Sequence, residues 1–170
     1  LYSTGSGQLN DRTVPTSTVK VLTYLQSTDK HWVEGSQDVD GKTYVDGDQI
    51  HGRVTMSLPD PDELAKPLNY VSITDDYTNF ADKVKYDGSH VFENGNDVTD
   101  QYNITVANNK VTATRKDASK APKGEVDLLV DWTINDNVAS GTKMTNSGSG
   151  TINTQTVNTP NRDIFVYYQT

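Results

Sequence analysis

Residues 126–134, Val-Asp-Leu-Leu-Val-Asp-Trp-Thr-Ile, alternate apolar and polar side chains almost without interruption. All the even-numbered positions of this segment carry an apolar side chain. Successive side chains of an extended strand point to opposite faces, so these positions share one face. The segment therefore predicts a β-strand with one face in a hydrophobic core, and Trp132 is expected in that core.

Shorter patterns of the same kind lie on both sides of this segment. Strands are predicted at 18–24, 53–58, 68–74, 84–86, 91–92 and 164–168, and a hairpin across 97–114 turning at Asn108-Asn109. Residues 59–66 combine Pro and Asp with helix formers and predict one short helical turn. Residues 142–157 are rich in Gly, Ser and Asn, and no strand is predicted there. Many short strands separated by turns predict an all-β fold, a β-sandwich of the immunoglobulin-like or adhesin type with at most one or two short helical turns.

The length of 170 residues suits one such domain with a short leading segment. Residues 1–28 contain Gly, Ser, Thr and Pro with little periodicity, so we interpret 1–28 as a linker or the tail of a preceding module. Residues 29–170 are predicted to form the sandwich. We expect the chain to be a piece of a larger protein.

Composition excludes several kinds of partner. The formal net charge is −8 and the pI about 4.7, so no basic surface is expected for nucleic acid or an anionic membrane. The chain has no cysteine, which excludes disulfides and thiolate metal sites. It has no Gly-x-Ser-x-Gly motif and no histidine pair with metal-binding spacing, so we do not expect a turnover enzyme.

Two phrases carry a family resemblance. Residues 30–42, Lys-His-Trp-Val-Glu-Gly-Ser-Gln-Asp-Val-Asp-Gly-Lys, and residues 74–77, Thr-Asp-Asp-Tyr, combine with an Asn-rich C-terminal end. Together they resemble the C-terminal stalk domains of Gram-positive surface adhesins of the antigen I/II type. The resemblance covers roughly residue 30 to the end. It implies a domain that staples itself with an isopeptide bond between a Lys and an Asn side chain.

The resemblance also implies roles for three residues. Lys30 matches the lysine near the start of the family's first strand, and Asp75 matches the leading carboxylate of its Asp-Asp-Tyr phrase. Asn161, just before the last apolar strand, best matches the acceptor. The chemistry requires a neutral amine and a protonated acid, and burial among apolar side chains favours both forms. The phase of Asp75 with Val71 and Ile73 predicts that its side chain points to the core.

Alternatives remain open for each role. Lys20 lies in another alternating segment that follows a proline, and it is the rival lysine. Asp76 is the rival acid, although its phase predicts an outward side chain. Asn158 is the closest rival acceptor, and Asn153 is a weaker one.

Calcium is a further hypothesis, because aspartates crowd residues 38–48. An EF-hand loop is not supported, since Lys42 and Gln49 occupy positions where ligands belong. Asp38 and Asp76 are the candidate ligands of an irregular site, and solvated turn aspartates are the simpler interpretation. No cofactor is expected to be required.

These observations predict a stalk module of a cell-wall-anchored extracellular adhesin. Its parent protein would bind a host glycoprotein or polysaccharide, while this monomeric module would hold the binding domain away from the wall. The alternative is a module that itself binds a host glycoprotein or glycan and has no isopeptide bond.

Overall fold

The computed structural model describes residues 2–9, 12–20 and 24–168, and within this part the chain forms seventeen strands. In chain order they are β1 (Tyr2–Ser3), β2 (Ser6–Leu9), β3 (Arg12–Pro15), β4 (Val19–Lys20), β5 (Thr28–Glu34), β6 (Gln37–Asp38), β7 (Thr43–Val45), β8 (Gln49–Leu58), β9 (Val71–Asp76), β10 (Val84–Glu93), β11 (Asn96–Asp97), β12 (Tyr102–Ala107), β13 (Lys110–Arg115), β14 (Gly124–Ile134), β15 (Thr142–Ile152), β16 (Gln155–Asn158) and β17 (Arg162–Tyr167). Short 3₁₀ turns lie at Pro61–Glu63, Thr78–Lys83, Thr99–Gln101 and Ala118–Lys120. In the described ranges, no helix has the length and apolar character needed to cross a membrane.

Two sheets form a sandwich. Sheet A has the order β11-β10-β14-β8-β5-β6, with every pair antiparallel. Sheet B has the order β12-β13-β9-β15-β17-β7, and β16 also pairs with β15. Strands β17 and β7 run parallel to each other. The all-β sandwich predicted from the sequence is confirmed. The early strands pair among themselves, β1 with β4 and β2 with β3, and a division of the chain at residue 28 stays a prediction.

The core lies between the sheets, and β14 contributes most of one wall. Each even-numbered residue of β14 from Val126 to Ile134 is at most 1 % exposed, so the alternation predicted for this segment is confirmed. Trp132 packs on Trp32, Tyr77 and Phe80, with ring centroids between 5.2 and 5.7 Å from its own. Such tilted and edge-to-face contacts are the favoured geometry for aromatic pairs.

Two predicted strand boundaries were wrong. Segments 84–86 and 91–92 belong to one strand, β10, which bends at a bulge between Tyr86 and Gly88. The polar residues between the two segments also pair with β14. Backbone groups form this pairing, so the polar side chains do not prevent it.

Residues 142–152 form β15, although no strand was predicted there. Two glycines of β15 lie directly under side chains of sheet A. A Cβ on Gly148 would be 2.6 Å from Val54 Cγ2, and one on Gly150 would be 2.9 Å from Met56 Cγ. The missing side chains therefore allow sheet A to pack closely on β15. The inward positions of the strand are Met144, Asn146, Gly148, Gly150 and Ile152.

A buried ion pair joins the sheets on the side of β10 and β13. The Glu93 carboxylate accepts hydrogen bonds from Arg115 Nε (2.8 Å) and Nη2 (3.1 Å) and from the Tyr102 hydroxyl (2.6 Å). Burial, together with the Glu93 carboxylate, raises the pKa of Tyr102 well above its usual range, so its hydroxyl stays a donor. This contact bridges the sheets far from β5 in the strand order.

Candidate functional site

A lysine and an aspartate face each other between the sheets. Lys30 lies on β5 of sheet A, and Asp75 lies on β9 of sheet B. Both side chains are fully buried, and Lys30 Nζ is 3.1 Å from Asp75 Oδ2. The structure therefore brings these two predicted residues together, and Asp75 points to the core as its phase predicted.

A third polar side chain, that of Asn146, completes the cluster. It lies on β15 and is fully buried. Its Nδ2 donates to Asp75 Oδ1 (2.7 Å) and to the backbone carbonyl of Asp76 (2.9 Å). The two oxygens of Asp75 thus face two different nitrogens, the amine of Lys30 and the amide of Asn146. We call Lys30, Asp75 and Asn146 the buried trio.

Burial opposes charge on both ionisable members of the trio. It lowers the pKa of Lys30, against the attraction of the Asp75 carboxylate. It raises the pKa of Asp75, against the attraction of the Lys30 ammonium. Both shifts favour a neutral amine beside a protonated carboxyl group. A proton that moves from Lys30 to Asp75 produces this pair without any exchange with solvent.

Each member of the trio also has an unpaired polar atom. Lys30 Nζ, Asp75 Oδ2 and Asn146 Oδ1 are buried and form no hydrogen bond with the described residues. The 3.1 Å approach of Nζ to Oδ2 therefore lacks the angles of a hydrogen bond. Nζ and Oδ2 still contact each other, so Asn146 Oδ1 is the atom of the trio left without a polar partner among the described residues, and an unsatisfied buried polar group costs about 1–3 kcal/mol.

Glycine and aromatic rings shape the space around the trio. A Cβ on Gly52 would be 2.7 Å from Asn146 Oδ1, 3.0 Å from Trp132 Cζ3 and nearer still to Lys30 Nζ. The ring centroid of Trp32 is 5.4 Å from Lys30 Nζ. Position 52 therefore has to be glycine for the side chains to meet, and the indole rings keep the surroundings apolar.

Substituting Gly52 with Ala should disrupt the trio. The new methyl group overlaps the amine and the amide, and an overpacked core typically costs about 1–3 kcal/mol. We expect a lower Tm by calorimetry and a loss of whatever chemistry the trio performs. Gly7→Ala is the matched control, because a Cβ there has no neighbour within 4 Å. A Gly52→Ala protein with the stability and mass of the wild type would contradict this account of the site.

The predicted acceptor Asn161 does not lie with Lys30 and Asp75. Asn161 and its rival Asn158 are exposed and line a polar depression on the outer face of sheet B. The reason is local: buried Thr159 binds Gly148 through its N–H and its hydroxyl, which leaves its neighbours facing solvent. Asn153 occupies the turn after β15 with φ 53°, and its side chain accepts backbone N–H groups of the loop before β9.

The other predicted alternatives also lie away from the trio or outside the described residues. Lys20 belongs to β4, and its side chain is not among those described. The Asp76 carboxylate points outward, 4.0 Å from Lys110 Nζ. Asp38 pairs with Arg53 at 3.1 Å on sheet A. The structure does not assemble the hypothesised calcium site, and in residues 2–9, 12–20 and 24–168 no group of three His, Cys, Asp or Glu side chains could hold a metal ion.

Sequence reasoning missed Asn146, although a signal for it exists. Met144 and Ile152 are in phase with Asn146, and the positions between alternate with Ser and Thr. The same period of two that identified β14 places Asn146 on the inner face.

The fold defines a class of domain, the two-sheet β-sandwich. The chain belongs to the cell surface antigen I/II C2 terminal domain family, whose model matches residues 26–161. It is therefore a structural domain of an extracellular surface protein, as the resemblance of residues 30–42 and 74–77 implied. No curated protein matches the chain.

Solved structures share the fold at low identity. The major pilin subunit BcpA of Bacillus cereus is similar with a TM-score of 0.71 and 17% identity, over 96% of this chain and 48% of that one. The C-terminal domain of the Streptococcus pyogenes antigen I/II-family protein AspA is similar with a TM-score of 0.71 and 13% identity, over 91% of this chain and 51% of that one. The C-terminal domain of the Streptococcus agalactiae AgI/II polypeptide BspA is similar with a TM-score of 0.71 and 12% identity, over 90% of this chain and 54% of that one. The chain thus spans about half the length of these relatives.

Proposed function

We propose that this domain is a stalk module that staples itself with an isopeptide bond between Lys30 and Asn146, with Asp75 as the acid. The observation that supports the proposal most strongly is the buried trio itself. Amine, amide and carboxyl group meet in one apolar space, and each has a buried polar atom without a hydrogen bond. The reaction occurs once per molecule, so the domain is not a turnover enzyme, and it requires no cofactor.

The atoms of the trio account for each step. The neutral Lys30 Nζ attacks Cγ of Asn146, and the Nζ–Cγ bond forms as the Cγ–Nδ2 bond breaks. The amine loses one proton, and Nδ2 takes up one proton to leave as ammonia. Asp75 can carry both transfers, because Oδ2 lies 3.1 Å from Nζ and Oδ1 lies 2.7 Å from Nδ2. Its carboxyl group ends as it began, protonated. Folding supplies the rest of the rate by holding the reactants as neighbours.

The bond would join β5 of sheet A to β15 of sheet B. It closes a loop from residue 30 to residue 146, and a cross-link of a loop this long contributes about 5 kcal/mol in the disulfide analogue. In this proposal the acceptor lies on β15. The sequence had instead predicted an acceptor just ahead of the last strand. Strands β16 and β17 would therefore remain outside the covalent loop.

This chemistry suits a stalk on the surface of a Gram-positive cell. A chain without cysteine gains a permanent cross-link that needs no oxidant. The parent protein would be anchored to the cell wall and would bind a host glycoprotein or polysaccharide through another domain. The module itself would act as a monomer that transmits load.

One observation favours the alternative of a direct binding module. The depression on the outer face of sheet B has a volume of about 320 Å³. Hydroxyl, amide and charged side chains line it, including those of Thr74, Asp76, Ser147, Asn158 and Asn161. Such groups could bind a glycan. A glycan array with the isolated domain separates the two functions, since saturable binding supports the alternative and its absence supports a stalk.

Substituting the two candidate acceptors tests the cross-link. Asn146→Ala should keep the full mass of its own sequence under denaturing conditions, because the electrophile is gone. Asn161→Ala is the matched control, and it should weigh one ammonia less than its sequence, as the wild type should. The opposite result, a full-mass Asn161→Ala and a light Asn146→Ala, would move the bond to Asn161.

A further inference from the structure

One side chain connects the strand that carries Lys30 to the strand beside Asn146. Arg162 begins β17 and lies directly opposite Asn146 in the pairing of β15 with β17. Its Nε donates a hydrogen bond of 2.9 Å to the backbone carbonyl of Lys30. Arg162 is therefore a neighbour of the amide in sheet B and a partner of the lysine in sheet A.

Further hydrogen bonds fix this connection. Trp32, two residues after Lys30, donates from Nε1 to the carbonyl of Arg162 at 3.0 Å. The Asp29 Oδ1 atom accepts from the Lys30 N–H at 2.8 Å and from Arg162 Nη2 at 3.3 Å. Side chains thus bind both the N–H and the carbonyl of Lys30, at the place where β17 approaches sheet A.

We propose that Arg162 is a positioning residue for the cross-link, which sets the approach of the Lys30 amine to the Asn146 amide by holding β5 against β17. The inference rests on the cross-link proposed above. Arg162 binds the backbone of Lys30 and not its amine, so it acts through the placement of that strand.

Distance explains why such a contact matters. Reacting atoms held about 3–3.5 Å apart react far faster than free ones, and a misplacement of about 1 Å can cost roughly 100-fold in rate. By contrast, the Arg162 side chain is 35 % exposed, and exposed ion pairs such as that with Asp29 contribute little to stability. Removing Arg162 should therefore slow the cross-link far more than it destabilises the fold.

The experiment follows the cross-link as it forms. The domain is made by cell-free synthesis, quenched in denaturant at intervals, and weighed by mass spectrometry. Arg162→Met keeps an unbranched side chain without donors, and we expect ammonia loss to slow at least about tenfold. Arg162→Lys keeps a single donor group and should give an intermediate rate. Lys83→Met is the matched control, because this side chain is 32 % exposed and pairs with Asp82 at 3.1 Å, and it should react at the wild-type rate.

Two further readouts separate positioning from folding. In a Lys30→Met background, which cannot react, adding Arg162→Met should change Tm only slightly. The pH profile of the rate should keep its shape in Arg162→Met, because the ionising groups are unchanged.

Different outcomes would overturn the positioning role of Arg162 and the cross-link on which it rests. A wild-type rate in Arg162→Met, a rate loss shared by Lys83→Met, or a slow rate explained by unfolding would each overturn the positioning role. A wild-type domain that never loses ammonia would overturn the cross-link itself.

Discussion

Replacing Asp75 with Asn should leave Lys30 and Asn146 unlinked and lower the Tm by about 15 °C. The amide cannot take a proton from the amine and pass it to the leaving nitrogen. The domain then loses a cross-link worth about 5 kcal/mol, and each kcal/mol corresponds to about 2–4 °C for a domain of this size. Intact mass measures the first effect, and calorimetry measures the second.

Neighbouring substitutions provide the controls. Asp76→Asn changes the adjacent carboxylate, which points outward, and it should leave both the mass loss and the Tm close to those of the wild type. Lys30→Met should give the same full mass and lowered Tm as Asp75→Asn, with the apolar stem retained. An Asp75→Asn protein that still weighs one ammonia less than its sequence would exclude Asp75 as the acid.

Pulling the wild-type sandwich from attachment points at residues 29 and 170 should extend it by only the chain that follows the bond. Force enters at Lys30, crosses to Asn146 and continues into residues 147–170. Strands β17 and β16 and the second half of β15 then come away, which releases on the order of 80 Å of chain. The loop between residues 30 and 146 bears no load and stays folded.

Lys30→Met is the control for this measurement. Without the bond, the whole sandwich unravels and releases roughly 450 Å. Single-molecule force spectroscopy resolves the two lengths. A wild-type extension of only about 30 Å would place the bond at Asn161 instead, and an extension equal to that of Lys30→Met would show that no bond exists.

Periodicity predicted the parts of the fold in which apolar side chains alternate. The run at 126–134 became β14 with the expected face in the core, and the phase of Asp75 with Ile73 correctly placed its carboxyl group inside. The pattern failed at β15, because its inner face carries Asn146 and two glycines. Those residues are buried by the close approach of sheet A, and not by their own hydrophobicity.

The sequence did not identify Asn146 as the buried asparagine, for a related reason. The family resemblance implied an acceptor asparagine just ahead of the last strand, and Asn161 occupies that position in the sequence. Thr159 is the buried side chain of that segment and accepts a hydrogen bond from the Gly148 N–H, whereas Asn158 and Asn161 are exposed. Asn146 lies across from the start of the same strand, opposite Arg162. The sequence thus pointed to exposed Asn161, which lies close to the pairing partner of buried Asn146, and not to Asn146 itself.

Tandem mass spectrometry of a tryptic digest of the wild-type domain tests the central claim most directly. Trypsin cannot cut after a modified Lys30, so residues 21–42 should appear joined to residues 144–162, which carry Asn146, Asn153, Asn158 and Asn161 on one peptide. Fragment ions then locate the bond. The account predicts a joined pair that weighs one ammonia less than its two peptides, with the link at Asn146. Cleavage after Lys30 and a free peptide 144–162 of full mass would contradict it.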